Sequence, residues 1–254
     1  MTKGIFLSYR VTFIVIFLSI FFLMKFISWK LQPKALRPLP LIFFLGSPLL
    51  SARLHPHRKR DSFQLILRKL LLNFAALILC IWFGRNFLQP LSWWDLVLLS
   101  PLVYFLTETM STLVELIFYP SSLKTFPMHQ HPLRSVSLGE FWGRRWNLWV
   151  QDWLRDVTAP HRRQLKSKLF LTFLASGLFH ELMVNLPWLM LYQESYFGNM
   201  VLYFTLQALG LWMDKRWIRN QSPALRRLFL WVMVIVPSPL FLNHPLLVFL
   251  GLKS

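Results

Sequence analysis

The sequence predicts an all-α fold, a polytopic bundle of about six or seven transmembrane helices with an amphipathic helix at the membrane interface. Apolar residues make up 55% of the 254-residue chain and charged residues only 15%, against about 25% in soluble domains. The apolar residues gather in long runs, and Lys and Arg gather between the runs. This distribution explains the net charge of +18 by membrane anchoring rather than by nucleic-acid binding. We expect one membrane domain, residues 1–254.

The first apolar run, Val11–Met24, is predicted to be a retained helix. A cleaved signal peptide is the alternative, but no small-x-small cleavage site follows, and Lys25 and Trp29 form an interfacial pattern instead. The next run, Leu39–Leu50, is shorter than the ~20 residues of a spanning helix. Basic residues flank it on both sides, which favours a re-entrant hairpin over a tilted span.

Further apolar runs are Leu70–Phe83, Leu96–Tyr119, Leu169–Tyr192, Met200–Met213 and Leu228–Leu250. Each is predicted to cross the membrane. Pro237 and Pro239 interrupt the last run, and because proline removes a backbone donor, we expect a kinked span or two half-helices there.

The distribution of Lys and Arg predicts the orientation. Segments 53–69, 120–168 and 214–227 hold six, nine and five basic residues, whereas 84–94 holds one and 193–199 none. The three basic segments are therefore predicted to be cytoplasmic and the other two to lie outside. Segment 120–168, the longest polar stretch, is expected to be a cytoplasmic and interfacial part of the active site.

Several kinds of chemistry lack support. Cys80 is the only cysteine and lies in an apolar run, so no disulfide or cysteine-based metal site is expected. No Gly-rich phosphate loop or Gly-x-Ser-x-Gly motif is present. Most histidines lie in polar or Pro-flanked stretches without a helical His-x-x-x-His partner, and we expect them to be solvated or interfacial: His55, His57, His129, His131, His161 and His244. No bound metal is predicted.

One candidate motif begins at Ser137. Ser137 and Glu140 match a capping box, so a helix is predicted to start there. Phe141, Arg145 and Trp149 then recur at i, i+4 and i+8, which predicts an amphipathic helix lying at the interface. A Trp/Arg belt that only anchors the protein is the alternative to a functional site. The amide of Asn147 between tryptophans favours the site, because a buried amide needs a partner.

A second candidate is His180, which lies halfway along an apolar run. Ionisable groups at that depth are costly unless they face a cavity or a partner. Ser176 and Thr172 precede it by one and two turns, a small polar stripe with room for substrate. The alternative is a structural histidine bound to a neighbouring helix. Glu181 lies ~100° around the helix from it and is expected to pair with an arginine or to reach His180 by a bent route.

Other charged groups admit two interpretations. Glu108 and Glu115 share one helix face and suit either a proton relay or pairing with arginines of the bundle, which we favour. A set of basic residues could bind the phosphates of a cofactor or anionic lipid headgroups: Arg144, Arg145, Arg162, Arg163, Lys166 and Lys168.

The two motifs together, Phe-Trp-Gly-Arg-Arg-Trp-Asn at 141–147 and Ser-Gly-Leu-Phe-His-Glu-Leu at 176–182, closely resemble the wax synthase branch of the membrane-bound O-acyltransferase (MBOAT) superfamily. The resemblance is strong over about residues 120–190. It implies transfer of an acyl group from acyl-CoA to a hydroxyl acceptor within the bilayer. The family's histidine, carried onto His180, would be the general base, and its asparagine, carried onto Asn147, would position the acyl donor or the histidine.

The resemblance implies acyl-CoA as co-substrate without a bound cofactor. It implies a hydrophobic alcohol and the lipid bilayer as the other partners, while the placement of the basic residues between apolar runs predicts no nucleic-acid partner. Substrate contacts are expected from Trp142, Arg144, Arg145, Trp146 and Ser176. The chemistry agrees independently, because attack by an alcohol on a thioester requires a base such as a neutral histidine and no covalent acyl-enzyme.

Two competing functions stay open at this stage. One is a proton-coupled lipid or small-molecule transporter that uses His180, Glu108 and Glu115 as a relay. The absence of paired broken helices in two repeated halves counts against it. The other is an inactive, truncated relative with a lipid-binding role. It is considered because members of the family are usually longer than this chain. We expect a multi-pass protein of the inner membrane in a bacterium or of the endoplasmic reticulum in a eukaryote.

Overall fold

The computed structural model describes residues 2–31, 61–88, 92–120, 127–158 and 168–252. The predicted re-entrant segment 39–50 and the basic clusters at 53–60 and 162–166 lie outside the described residues.

The described residues are helical, with no strand, which confirms the predicted all-α class. The helices are α1 Thr2–Leu31, α2 Phe63–Phe87, α3 Trp93–Leu98, α4 Pro101–Ile117, α5 Leu138–Glu140, α6 Leu148–Thr158, α7 Lys168–His180, α8 Leu186–Tyr192, α9 Asn199–Met213, α10 Pro223–Ile235, α11 Ser238–Phe241 and α12 His244–Phe249. Three π-helical turns continue α5, α7 and α9, at Phe141–Arg145, Glu181–Asn185 and Asp214–Ile218.

Five stretches of the described chain are long and apolar enough to cross a membrane: Ser8–Lys30, Phe63–Phe87, Trp93–Ile117, Phe170–Tyr192 and Pro223–Phe241. Their outer faces are apolar. On α2, for example, Leu71, Leu72 and Leu79 are each at least 60% exposed, while only Ile66, Leu77 and Gly84 are buried. Such a surface is stable against lipid and not against water. The chain is thus a multi-pass membrane protein, and the predicted total of about six or seven spans, which includes residues outside the described set, stays a prediction.

Contacts at the two ends of the bundle show which helix ends lie together. At one end Tyr9 of α1 stacks edge-on against Trp188 of α8, with ring centroids 5.2 Å apart, and Arg85 Nε donates to the carbonyl of Gly251. At the other end the indole Nε1–H of Trp153 in α6 donates to the carbonyl of Met24. The ends of α2 and α8 that lead to segments 84–94 and 193–199 therefore group together, away from α6.

The interruption predicted by the prolines of the last run is confirmed. Helix α10 ends at Ile235, and α11 begins at Ser238 after Pro237. A second proline, Pro187, follows directly on the π-helical turn Glu181–Asn185. Proline has no backbone N–H to donate to the preceding turn, so one helical hydrogen bond is missing at this position. The chain nevertheless passes from the π-helical turn directly into α8 without a break.

Candidate active site

The first motif does not form the single amphipathic helix that its periodicity predicts. Helix α5 passes into the π-helical turn Phe141–Arg145, and the chain then breaks at Trp146, which is extended with φ −100° and ψ 133°. Helix α6 begins only at Leu148. The expectation that Phe141, Arg145 and Trp149 share one helix face is therefore wrong, because the break rotates everything after Arg145 onto a separate helix.

The predicted capping box is half formed. The hydroxyl of Ser137 accepts from the N–H of Glu140 at 3.1 Å, but the Glu140 carboxylate accepts from the N–H of Val136 at 2.9 Å rather than from Ser137. Arg145 Nε also donates to Glu140 at 2.7 Å. Burial acts to raise the pKa of Glu140, but these two donors outweigh it and hold the pKa below its ordinary value. The guanidinium of Arg145 also donates to the carbonyls of Gln130 and His131, so it is committed to fixing this loop.

Asn147 occupies the break in the left-handed backbone region, with φ +47°. Its side-chain Oδ1 accepts from the N–H of Val150 at 3.4 Å and so helps to cap α6. Its backbone N–H donates to Nδ1 of His129 at 3.0 Å. The side-chain Nδ2 has no hydrogen-bond partner among the described residues, and this donor is available to a ligand.

His129 was expected to be solvated or interfacial, which is wrong: it is 3% exposed. Its ring lies 4.1 Å from that of Trp146, and its Nε2 lies 2.9 Å from the hydroxyl of Thr107 in α4. Burial lowers the pKa of His129 to about 3, so the ring is neutral at physiological pH.

In the second motif, His180 is the last residue of α7 before the π-helical turn Glu181–Asn185. Its Nδ1 lies 2.7 Å from the carbonyl oxygen of Ser176. A carbonyl only accepts, so Nδ1 carries the proton, and in the neutral ring Nε2 presents a lone pair. Nε2 has no hydrogen-bond partner among the described residues. The stripe Thr172, Ser176 and His180 is half-buried.

The two motifs meet through aromatic rings. The His180 ring lies 4.8 Å from that of Phe204 in α9 and 5.2 Å from that of Phe241 in α11. Phe204 in turn lies 6.1 Å from Trp142, whose indole N–H donates to Gln207 at 3.1 Å. Trp142 and Trp146 are half-buried, with centroids 6.3 Å apart. The structure therefore brings Trp142 near His180, whereas no hydrogen bond joins Asn147 to His180 in the described residues.

Glu181 forms neither of the predicted contacts. It is fully buried, and its Oε1 accepts from the backbone N–H groups of Gly198, Met200 and Val201 at 2.9, 2.8 and 3.1 Å. Its Oε2 accepts from the side-chain amide of Asn185. Glu181 therefore caps α9, where backbone donors lack partners inside the helix.

Gly177 allows α7 and α9 to approach closely. A Cβ at this position would lie 2.7 Å from Cα of Val201, closer than packed atoms come. A small residue is needed here for this helix crossing.

Arg144 lies at a separate cleft of about 440 Å³, a size typical of small-molecule sites. The cleft is also lined by Ser137, Gly139, Glu140 and Arg226. Nε of Arg226 is fully buried and has no hydrogen-bond partner among the described residues. Two arginines and one carboxylate line the cleft, and that carboxylate is already paired with Arg145. A second carboxylate, Asp214, borders the lining and accepts from the N–H of Gly139.

The carboxylates Glu108 and Glu115 do not connect to His180 by hydrogen bonds within the described chain. Ser111 donates to Glu115 at 3.4 Å, and Lys69 is a cation close to both carboxylates. No arginine of the described residues forms an ion pair with either, so the expected pairing with arginines is not found.

Four residues at these sites were missed by sequence reasoning: His129, Phe204, Arg226 and Phe241. Only His129 carried a usable signal, because it is one of two histidines just before the first motif. The others lie in ordinary apolar or basic segments far along the chain.

Comparisons of the sequence with known proteins find one matching family and several relatives. Residues 125–206 match the Membrane bound O-acyl transferase family. The chain is 34% identical over 119 residues to a probable long-chain-alcohol O-fatty-acyltransferase 7 of Arabidopsis thaliana, covering 42% of this chain and 35% of the relative. It is 40% identical over 72 residues to acyl-CoA–sterol O-acyltransferase 1 of Arabidopsis thaliana, covering 24% and 21%. It is 36% identical over 70 residues to the long-chain-alcohol O-fatty-acyltransferase of Simmondsia chinensis, covering 23% and 20%.

The segment that holds both motifs is therefore similar to the membrane-bound O-acyltransferase class. Within that class the chain is similar to the wax synthase-like branch, which confirms the resemblance predicted from the motifs. The chain spans about a third or less of the length of these three relatives.

Proposed function

We propose that this chain transfers an acyl group from acyl-CoA to the hydroxyl of a hydrophobic alcohol. The observation that carries the proposal is the 2.7 Å hydrogen bond from His180 Nδ1–H to the carbonyl of Ser176. It fixes the tautomer in which Nε2 is the proton acceptor, and it holds the ring between Phe204 and Phe241. A neutral, oriented imidazole in an apolar surrounding suits a general base for an alcohol.

The proposed reaction has two proton movements. The alcohol proton passes to Nε2 of His180 while the alcohol oxygen bonds to the thioester carbonyl carbon. The carbon–sulfur bond then breaks, and the departing CoA sulfur takes the proton back from the imidazolium. The products are an ester and free CoA, and the histidine returns to its starting tautomer.

Asn147 is proposed to bind the acyl donor through Nδ2, the atom for which the described residues supply no partner. A donor placed near the thioester carbonyl would stabilise the negative charge that develops on its oxygen. The alternative is that Asn147 serves only as a helix cap, through Oδ1. Asn147→Asp separates the two roles, because aspartate keeps the capping oxygen and removes the donor.

The phosphates of acyl-CoA are proposed to bind in the cleft of Arg144 and Arg226. The partnerless, buried Nε of Arg226 supports this location, because an unpaired buried donor is costly unless a ligand satisfies it. Arg145 contributes positive charge, but its donors are already used by Glu140 and two carbonyls.

The test is ester formation by purified protein from radiolabelled acyl-CoA, with a long-chain alcohol and a sterol compared as acceptors. His180→Ala is expected to lower turnover by ~10²–10⁴, and Asn147→Asp by ~10²–10³ with an unchanged melting temperature. His244→Gln is the matched control, because this histidine is also packed among aromatic rings but contacts Trp188 and Tyr196 instead. An active, stable His180→Ala protein would refute the proposed mechanism.

The phosphate site has its own test. Arg144→Gln or Arg226→Gln is expected to raise KM for acyl-CoA about tenfold, the value of one charge-assisted contact. Arg227→Gln is the control, since Arg227 is the exposed neighbour of Arg226. If KM is unchanged and melting instead loses its dependence on anionic lipid, the arginines bind lipid headgroups.

A further inference from the structure

The segment just before the first motif is fastened to the break that contains Asn147. Gln130 N–H donates to the carbonyl of Arg145, and Leu148 N–H donates to the carbonyl of Met128, both at 2.8 Å. Between these two backbone bonds, the N–H of Asn147 has only a side chain opposite it, the imidazole of His129. A histidine here thus completes the pairing of the two segments.

The hydrogen bonds determine which nitrogen of His129 carries the proton. Nδ1 accepts from the N–H of Asn147, so Nε2–H must be the donor to the hydroxyl of Thr107 at 2.9 Å. That hydroxyl donates onward to the carbonyl of Val103 at 2.8 Å. A chain of three bonds therefore runs from the membrane helix α4 to the backbone of Asn147.

The bond from His129 helps to hold an uncommon backbone conformation at Asn147. Only a few per cent of residues other than glycine adopt a positive φ, although asparagine does so more often than most, and Asn147 lies at +47° between an extended Trp146 and the start of α6. The ring of His129 also packs on Trp146, so it contacts both residues of the break. Without it, the break can relax, and the side chain of Asn147 changes direction.

We propose that His129 is a positioning residue, which orients the side-chain amide of Asn147 toward the acyl donor through its bond to the Asn147 backbone. This role rests on the proposed function of Asn147. His129 does not take part in proton transfer, because both ring nitrogens are engaged and the ring is sealed from solvent.

Two substitutions separate the two ends of the imidazole. His129→Asn places an acceptor near the position of Nδ1 and is expected to keep most of kcat. His129→Gln reaches toward Thr107 but leaves the Asn147 N–H unpaired, and is expected to lower kcat by about 10–100-fold, the cost of a misplacement of about 1 Å. KM for acyl-CoA is expected to change less than about threefold in both, because the phosphate cleft is untouched.

A double-mutant cycle decides between positioning and general support of the fold. With Asn147→Asp as background, the donor that His129 orients is already absent, so His129→Gln should lower kcat no further. Equal losses in both backgrounds, measured per folded protein, would overturn the proposal. So would a His129→Asn protein that is as impaired as His129→Gln. A wild-type chain without transferase activity overturns the proposed function itself, and active wild type with an additive cycle overturns only the role of His129.

Discussion

Glu181→Gln tests the assignment of this buried carboxylate to the N-terminus of α9. The substitution keeps the size of the side chain and one carbonyl-type oxygen. It removes the negative charge of the carboxylate that accepts hydrogen bonds from the N–H groups of Gly198, Met200 and Val201. It also directs an amide N–H₂ at the amide of Asn185, which donates to Glu181 in the wild type.

The cost follows from these contacts. Hydrogen bonds to a charged acceptor are worth about 0.5–1 kcal/mol more than those to a neutral one, so three of them lose about 2 kcal/mol. Two opposed buried donors add about 1–3 kcal/mol. Asn185 cannot relieve this by turning its amide over, because its Oδ1 accepts from Asn243 at 2.9 Å. We therefore expect a loss of about 3–5 kcal/mol.

The assay is thermal unfolding in detergent, in which a loss of this size lowers the melting temperature by about 10 °C. Glu194→Gln is the matched control, because Glu194 is an exposed carboxylate only a few residues before α9. It is expected to change the melting temperature by less than about 2 °C. A Glu181→Gln protein that melts with the wild type would refute the capping role.

Three further predictions follow from the geometry. Gly177→Ala places a methyl group 2.7 Å from a backbone atom of α9 and should cost at least about 1–3 kcal/mol in thermal unfolding, whereas Gly143→Ala, with nothing within 4 Å, should be neutral. Because burial lowers the pKa of His129 to about 3, its contribution to stability is complete above pH ~6.5 and is lost as pH falls toward 3. Its replacement by Asn should therefore reduce the acid dependence of melting by about one proton, or 1.4 kcal/mol per pH unit, and an unchanged slope would contradict this. In a protein without the native cysteine, Leu133→Cys, at a 66% exposed position, should label only from the cytoplasmic face and Ser195→Cys only from the other. The reverse pattern would contradict the predicted orientation.

The features that could be predicted from the sequence are those that rest on local pattern. Five of the apolar runs became membrane-length helices, the prolines after Val236 ended α10, and Ser137 began a helix. The run Met200–Met213 instead forms the 15-residue α9, which is not among those five. The break at Trp146 was not predicted, since the 141–149 pattern is equally compatible with one helix or two short ones. The available signal was the residue type at Asn147, because asparagine tolerates the left-handed conformation that it adopts at the break.

The contacts that the sequence could not predict join residues distant along the chain. The bond partners of Glu181 lie on another helix, and the closest rings to His180 include Phe204 and Phe241. Such contacts depend on which helices become neighbours, and hydropathy does not specify this. The π-helical turns could not be predicted for the same reason, because they depend on tertiary packing and produce no simple periodicity in the sequence.

The position of Glu181 directly after His180 has a consequence for the assembly of the bundle. The span Phe170–Tyr192 is the least apolar of the five and carries both groups. A carboxylate at such depth is costly without partners. The donors that satisfy it belong to α9, the same helix that brings Phe204 against His180. Stable burial of this carboxylate therefore depends on the docking of α9, and the same docking gives His180 its aromatic neighbour.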